Sequence, residues 1–395
     1  MVDSFTQVSS QGYGSRLMES IKGVLIGLLM FAVSFPLIFW NEGRAIHTAR
    51  GLEEGQGAVV DVKTEAVDAA NEKKLVHFTG DTKTGETLAD PLFGVTAPAI
   101  RLVRDAKMYQ WTEKEEKRTV EKIGGSKETT TVYTYERAWK DQLVKSAAFK
   151  APNAPSENRN PEKLLVDQGE WSAREVSVGA YRLPSELVSE INTFEAEPVT
   201  GDGADVQAPP GVRVRVADGG FYLGDDPANP KVGDTKVSFR VVKPGPVSVI
   251  AMQMGNTLGA YRTHADTKLE ILKTGSHSAQ EMFQAELAAN AALTWVLRGV
   301  GFFLMFIGIY SVFRPIVMLV NVLPFLGDML GFGLGLFSAM ISAALTMLTI
   351  AIGWLFYRPL VGVPLVLASV GLIVWMKTAG SKKKAETETA AAPVA

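Results

Sequence analysis

The chain has 395 residues and a formal net charge of −2, so it lacks the excess of positive charge that is typical of nucleic-acid-binding proteins. It contains no cysteine, which excludes disulfides, thiolate nucleophiles and cysteine metal sites. Its hydrophobic content of 47% matches an ordinary soluble protein, but this average combines long uncharged runs near both ends with a polar middle section.

The first uncharged run indicates a membrane anchor. Residues 1 to about 15 are rich in Ser, Gln and Gly without an apolar period, and we expect them to be mobile within a cytosolic N-terminal tail over residues 1–22. The run from Val24 to Trp40 then predicts a transmembrane helix over residues 23–41, because about 17 residues at about 1.5 Å each just span a hydrocarbon core. A cleaved signal peptide is the alternative, but no small-residue cleavage site follows Trp40.

Residues 42–290 are predicted to form a β-rich (α+β) domain in the periplasm or lumen, inserted between the first and second spans. Thr129 to Tyr135 is β-branched and aromatic, and we expect it to pair with Lys107 to Arg118 in a charged hairpin around Gly124-Gly125. A short helix is expected over Ser185 to Ile191. The other predicted strands are Ala58 to Val62, Leu75 to Phe78, Val212 to Val216, Lys236 to Val242 and Val247 to Met252.

Three further apolar runs complete a predicted bundle of four spans. A capping box, Ser278 to Glu281, leads toward the second transmembrane helix over residues 291–313, which Arg314-Pro315 is expected to end. Residues 314–328 are predicted to be a cytosolic or re-entrant connector. The third helix is predicted over residues 329–356 and the fourth over 359–376, followed by a cytosolic tail at 377–395.

The lysines after the last span place both termini in the cytosol by the positive-inside rule. Aromatic and arginine side chains at the span ends are predicted to be interfacial anchors, with Arg298 reaching toward the headgroups. We expect the ends of the first and third spans to lie close together beneath the β-rich domain. The predicted anchors are Trp40, Arg44, Trp295, Arg298, Trp354, Arg358 and Trp375.

The third span carries two stripes of small residues at a spacing of four. Small side chains let another helix approach closely, and hydroxyls can form hydrogen bonds across such a contact. A pore lining uses the same residue types, but no ionisable residue lies at the centre of any span, which favours helix packing or homo-oligomerisation. The predicted packing residues are Gly331, Gly335, Ala339 and Ala343 in one stripe and Ser338 and Ser342 in the other.

No pattern in the chain predicts a catalytic, cofactor-binding or metal site. The four histidines, His47, His77, His264 and His277, have no metal-ligand spacing, and there is no nucleophile elbow, P-loop or dinucleotide fingerprint. Carboxylates such as Glu42, Asp90 and Asp234 are interpreted as solvated loop residues rather than an acid–base pair.

Six segments, in matching order over residues 20 to 376, resemble the transmembrane protein 43 family, also called LUMA. They are Phe35 to Ala45 (FPLIFWNEGRA), Asp90 to Val95 (DPLFGV), Met108 to Trp111 (MYQW), Val232 to Phe239 (VGDTKVSF), Leu293 to Arg298 (LTWVLR) and Leu345 to Pro359. The resemblance implies four spans, one large lumenal domain and no enzyme activity or catalytic residues. In eukaryotes it implies residence in the endoplasmic reticulum and the nuclear inner membrane.

The same resemblance implies an organiser of membrane protein complexes, with contacts to lamin and emerin. The lysine- and alanine-rich tail departs from the family pattern, and the Ala- and Gly-rich spans suit a bacterial member, which has no lamina. We therefore predict a multi-pass membrane scaffold that contacts the lipid bilayer, forms a homo-oligomer and binds other membrane proteins, but no nucleic acid. A bacterial member would lie in the plasma membrane. The alternatives are an ion channel or channel-regulating subunit, and an envelope enzyme that acts through the outer domain.

Overall fold

The computed structural model describes residues 3–199, 206, 211–320, 324–360 and 362–364. The chain divides into two compact units. The β-rich unit consists of Met1–Gln11, Gly51–Lys122 and Ser126–Glu286. The helical unit consists of Gly12–Arg50, Ile123–Gly125 and Leu287–Ala395.

Within the described residues, the strands of the β-rich unit fall into two large sheets and two short pairs. In chain order they are β1 (Ser4–Gln11), β2 (Val60–Asp61), β3 (Leu75–Lys83), β4 (Leu88–Ala89), β5 (Thr96–Ala97), β6 (Arg101–Glu121), β7 (Lys127–Lys140), β8 (Gly169–Ser172), β9 (Ser177–Val178), β10 (Tyr181–Arg182), β11 (Glu195–Glu197), β12 (Val214–Ala217), β13 (Gly220–Leu223), β14 (Thr235–Val242), β15 (Pro246–Met254), β16 (Thr257–Gly259), β17 (Tyr261–Arg262), β18 (Lys268–Leu269) and β19 (Ile271–Thr274).

The larger sheet has the order β1-β7-β6-β14-β13-β12, with β11 on β14 and β8 on β6. In the second sheet, β3, β15, β16, β10 and β9 pair in a closed ring, and β2 and β19 pair with β3 and β15. Closing a ring leaves fewer exposed strand edges. One apolar core takes side chains from both sheets, including Phe78 and Val249 from the ring and Leu102 and Phe239 from the larger sheet.

Alternation of apolar and polar residues explains why these segments are strands. In β14, Val237, Phe239 and Val241 are buried while Ser238 and Arg240 between them are exposed, as expected for a strand with one face on the core. The predicted hairpin is confirmed: β6 and β7 pair antiparallel, for example Arg118 with Thr130, and the turn glycines have positive φ. The predicted strands at Leu75 to Phe78, Lys236 to Val242 and Val247 to Met252 are also present.

The N-terminal segment differs from the expected mobile tail. Residues Ser4–Gln11 form β1, which pairs antiparallel with β7 and places the ring of Phe5 on that of Tyr133, with centroids 6.2 Å apart. The open edge of β7 offers unpaired backbone groups, and a second strand satisfies them. This pairing opposes the predicted placement of residues 1–22 on the other side of a membrane from the β-rich domain.

Three long helices dominate the helical unit, and each is long and apolar enough to cross a membrane. At about 1.5 Å per residue, the 46 residues of α1 and the 42 of α4 far exceed the length needed to span about 30 Å of hydrocarbon. The helices of the described residues are α1 (Tyr13–Ala58), α2 (Ala154–Glu157), α3 (Ser185–Glu190), α4 (Ala279–Val320) and α5 (Pro324–Tyr357). In addition, Ala69–Asn71 and Ser146–Ala148 form short 3₁₀ turns.

The helix bounds correct part of the predicted organisation. The capping box is present, because the Ser278 and Glu281 side chains exchange hydrogen bonds with each other's backbone N–H groups. Pro315 does not end the helix: α4 continues through it to Val320, since breaking a helix inside an apolar segment leaves several backbone groups without partners. The end of the membrane span at residue 313 stays a prediction. Helix therefore covers most of the predicted connector, and the fourth span and the tail at 377–395 lie almost entirely outside the described residues.

Candidate functional site

Three of the sequence motifs converge inside the helical unit. Glu42 of α1, Arg298 of α4 and Trp354 of α5 form a hydrogen-bonded group that we call the Glu42 cluster. Arg298 Nε donates to Glu42 Oε1 at 2.7 Å, its Nη2 donates to Oε2 at 2.8 Å, and Trp354 Nε1 donates to Oε2 at 2.9 Å. One carboxylate thereby joins all three long helices.

The Glu42 cluster is shielded from solvent. The side chain of Glu42 is 1% exposed and that of Arg298 is 14% exposed. The guanidinium of Arg298 also lies over the ring of Trp295, 4.8 Å from its centroid. A planar fork that meets a carboxylate at two points is among the strongest polar contacts in proteins. This two-point contact offsets the cost of removing both charges from water. An isolated buried charge would have no such compensation.

A second polar network joins α1 to α4 next to the Glu42 cluster. Arg44 donates to the side-chain oxygens of Asn290, Thr294 and Asn41 at 2.9, 3.0 and 3.2 Å. Asn41 in turn donates to the Thr294 carbonyl at 3.1 Å, and Asn290 donates to the Ala45 carbonyl at 2.9 Å. Arg44 Nε is buried and has no hydrogen-bond partner among the described residues. This second network is therefore rich in donors and contains no carboxylate.

The end of α5 packs on α1 through aromatic side chains. The ring of Phe39 lies 5.2 Å from that of Tyr357 and 5.7 Å from that of Phe356. Arg50 Nη2 donates to the backbone carbonyl of Tyr357 at 2.8 Å. A cation at this position satisfies one of the carbonyls left open at a helix C-terminus and complements the helix dipole. The ends of the first and third spans thus lie close together, as predicted, and their position beneath the β-rich domain stays a prediction.

The predicted anchors adopt different environments. The indoles of Trp40 and Trp295 are 56% and 69% exposed, as expected of side chains that face headgroups. Arg298, which was expected to reach toward the headgroups, forms hydrogen bonds within the unit, and so does Arg44. Their role as interfacial anchors stays a prediction. Trp375 lies outside the described residues.

The two predicted stripes of α5 also differ from one another. Ser338 and Ser342 are fully buried, and their hydroxyl oxygens have no hydrogen-bond partner among the described residues. A Cβ added at Gly331 would make an ordinary van der Waals contact with Val317 Cγ1 at 3.6 Å, whereas a Cβ added at Gly335 would have no described residue within 4 Å. Ala339 and Ala343 are half-buried. The hydroxyl stripe therefore faces the bundle, while the described residues leave Gly335 of the other stripe uncovered.

Sequence reasoning missed a close backbone contact between Gly27 of α1 and Gly308 of α4. A Cβ on Gly308 would lie 2.8 Å from the Gly27 carbonyl oxygen and 2.8 Å from the Phe31 nitrogen. Backbone atoms approach this closely only where neither residue has a side chain. The spacing of Gly23 and Gly27 in α1 is the small-xxx-small signal that could have predicted it.

Asp90 and Asp234, two carboxylates of the β-rich unit, are each bound by a separate partner. Asp90 is fully buried and accepts from Arg104 Nη1 at 2.7 Å, so its interpretation as a solvated loop residue is wrong, as it is for Glu42. Asp234 accepts from the hydroxyl of Tyr222 at 2.5 Å. Burial, followed by this hydrogen bond, raises the pKa of the Tyr222 phenol.

The histidines of the β-rich unit take part in local contacts. His77 bridges the Asp61 carboxylate at 2.6 Å and the His277 carbonyl at 3.0 Å. His264 and Glu54 contact each other at 2.8 Å. Within the part of the chain that the structure describes, no three His, Asp or Glu side chains are placed to hold a metal ion.

These features define a membrane protein in which three long apolar helices are joined by a buried polar cluster and accompany a large β-rich domain. The chain belongs to the transmembrane protein 43 family, since the model of that family, described as Transmembrane protein 43, matches residues 108–359. This match includes Arg298 and Trp354 of the Glu42 cluster.

Relatives match over most of their length. Transmembrane protein 43 of Homo sapiens is 36% identical over 363 residues, which cover 89% of this chain and 88% of the relative. The protein of the same name from Mus musculus is 36% identical, with 90% and 89% covered. The Transmembrane protein 43 homolog of Drosophila melanogaster is 28% identical, with 89% and 93% covered. No solved structure matches the chain significantly.

Proposed function

We propose that the protein is a non-enzymatic, multi-pass membrane scaffold, which forms a homo-oligomer through α5 and holds other membrane proteins together. The observation that supports this role is Gly335, the uncovered member of the small-residue stripe of α5. A side chain added at Gly335 would contact none of the described residues within 4 Å, and the adjoining Phe332, Leu336 and Met340 are largely exposed. Small residues beside large apolar ones are the usual surface for close helix contact within a bilayer.

The test compares two glycines of the same helix. Gly335→Leu fills the stripe, whereas Gly333→Leu adds the same side chain at a position that also has no described neighbour within 4 Å but lies outside the stripe. We expect Gly335→Leu alone to reduce the oligomeric mass in detergent and the partner proteins recovered by crosslinking and mass spectrometry in native membranes. An unchanged mass and partner set for Gly335→Leu would contradict the scaffold proposal.

The proposal also includes a location and an orientation. We place the protein in the plasma membrane of a bacterium or in the endoplasmic reticulum and nuclear inner membrane of a eukaryote, with a fourth span and cytosolic termini. The pairing of β1 with β7 is the observation that opposes this position of the N-terminus. The absence of native cysteine allows single-cysteine labelling from each side of the membrane. Ser9→Cys, Ser189→Cys and Ser381→Cys report on β1, the β-rich unit and the C-terminal tail. Labelling of Ser9→Cys and Ser189→Cys from the same side would refute a cytosolic N-terminus opposite the β-rich domain.

A channel or channel-regulating subunit is a second candidate, favoured by the buried hydroxyls of Ser338 and Ser342. Polar groups without partners inside an apolar bundle are costly, and a water-filled path would satisfy them. Purified protein in planar bilayers should then conduct ions, and Ser338→Ala with Ser342→Ala should change that conductance. Silent bilayers would remove this candidate.

A further inference from the structure

The helical unit contains a cavity of about 210 Å³ between the C-terminal part of α1, the N-terminal part of α4 and the C-terminus of α5. Its polar wall includes Glu42, Asn290, Thr294, Arg298 and Arg358, and much of the remaining surface is aliphatic or indole. The volume is smaller than the roughly 300–1,000 Å³ that is typical of sites for drug-sized ligands. A small polar group attached to an apolar body fits such a cavity.

The cavity and its surroundings carry more positive than negative charge. Its one carboxylate, Glu42, is already held by Arg298 and by the indole of Trp354. Arg358 contributes a second guanidinium to the wall, and it forms no ion pair with any residue that the structure describes. Arg44 donates hydrogen bonds to Asn290 and Thr294 of the wall, and both acceptors are neutral oxygens. Such surplus positive charge in a partly enclosed site favours an anion.

The surface beside the cavity indicates where that anion comes from. On α4, the side chains of Leu293, Val296 and Val300 are exposed, and the indole of Trp295 between them is 69% exposed. An apolar helix surface next to exposed tryptophan is the expected environment of lipid chains just below their headgroups. A soluble anion has no apolar part that could contact these exposed side chains of α4.

We propose that the cavity binds the phosphate of an anionic phospholipid, with Arg358 as its principal cation and the acyl chains on the exposed face of α4. The bound phosphate accepts hydrogen bonds from the Arg358 guanidinium and from the donors of the wall. Binding would link α1, α4 and α5 at one point of the bilayer surface. The proposal is independent of the α5 stripe and of the scaffold role.

The experiment is native mass spectrometry of the full-length protein from nanodiscs of phosphatidylcholine alone and of phosphatidylcholine mixed with phosphatidylglycerol. We expect retained phosphatidylglycerol on the wild-type protein. Arg358→Gln should weaken retention about tenfold, because a charge-assisted hydrogen bond is lost. Arg358→Lys keeps the charge and should retain more lipid than Arg358→Gln. The matched control is Arg314→Gln, which removes an exposed arginine of α4 outside the cavity.

Thermal unfolding in detergent provides the second arm and shows whether each variant is folded. Phosphatidylglycerol should raise the melting temperature of the wild-type protein and of Arg314→Gln, but not that of Arg358→Gln. Inorganic phosphate should have no such effect at the same concentration. Equal stabilisation by inorganic phosphate would overturn the lipid assignment. Equal retention of phosphatidylglycerol by the wild-type protein and Arg358→Gln would overturn the site.

Discussion

Glu42 of α1 and Arg298 of α4 meet at two points, with Nε to Oε1 at 2.7 Å and Nη2 to Oε2 at 2.8 Å, although 256 positions separate them in the chain. The carboxylate is nearly inaccessible to solvent, so neither charge could remain there alone. This pair lets two charged residues reside among apolar helices. It also defines how α1 and α4 are aligned along their lengths.

Glu42→Gln should destabilise the helical unit strongly. The amide keeps the shape of the side chain but leaves the buried guanidinium of Arg298 without a counter-charge, and breaking a buried ion pair in this way costs about 3–5 kcal/mol. Thermal or denaturant unfolding in detergent measures the loss. The matched control is Glu53→Gln, which neutralises an exposed glutamate of the same helix and should change stability by less than about 0.5 kcal/mol.

The double variant Glu42→Leu with Arg298→Met separates charge from packing. Replacing both partners with apolar residues leaves no unpaired charge. The double variant should therefore be markedly more stable than Glu42→Leu alone or Arg298→Met alone. If the double variant were as unstable as Glu42→Gln, the loss would arise from packing around the cluster rather than from the uncompensated charge.

Gly308→Ala should loosen the crossing of α1 and α4. The added methyl would lie 2.8 Å from backbone atoms of Gly27 and Phe31, which cannot move aside as a flexible side chain would. Overpacking of this kind costs about 1–3 kcal/mol. Gly333→Ala is the control, because a Cβ there has no described neighbour within 4 Å. Similar melting temperatures for the two variants would show that the crossing can relax.

The parts of the fold that were predictable depend on local patterns. Long uncharged runs revealed α1, α4 and α5, and alternating β-branched residues revealed the β6–β7 hairpin and β14, because these signals repeat over many residues. Pro315 misled the prediction of where α4 ends, since the cost of a helix-interior proline is only a few kcal/mol and apolar surroundings favour keeping the helix.

The candidate site was only partly predictable. Trp354 and Arg298 could be placed at span ends from the sequence, but the ion pair with Glu42 depends on how distant helices pack, and no local pattern encodes it. The same holds for β1, whose polar sequence has no core-facing stripe and whose pairing depends on the free edge of β7. Its position in the β-rich unit follows from a long-range contact.

Asp90→Asn should destabilise the β-rich unit. Asp90 Oδ2 accepts from Arg104 at 2.7 Å, and Oδ1 accepts from the backbone N–H groups of Leu92 and Phe93 at 2.8 and 3.2 Å. Removing the charge leaves Arg104 unpaired among aromatic rings, at a cost of about 3–5 kcal/mol. Asp105→Asn is the control on the same sheet, since its partner Arg240 is solvent-accessible and such pairs contribute less than about 1 kcal/mol. Hydrogen exchange of β6 and β14 would report both effects, and equal protection in the two variants would contradict the ranking.

Glu270 should make the β-rich unit slightly less stable at neutral pH than at acidic pH. Burial, followed by repulsion from Glu186 and Glu190, raises the pKa of the Glu270 carboxyl above its usual value of 4.5. For an acid whose folded-state pKa is raised, the stabilising contribution is complete below the unfolded-state pKa and is lost as pH rises through the folded-state pKa. Glu270→Gln, which cannot ionise, should therefore raise the melting temperature near pH 7. For this half-buried group the gain in the free energy of unfolding should be less than about 1 kcal/mol. Near pH 4 the melting temperature should be unchanged. Glu186→Gln provides the comparison, because it removes one repelling charge from an exposed position and should give a smaller gain with the same sign. A lower melting temperature for Glu270→Gln at neutral pH would mean that the ionised carboxylate makes a net favourable contact.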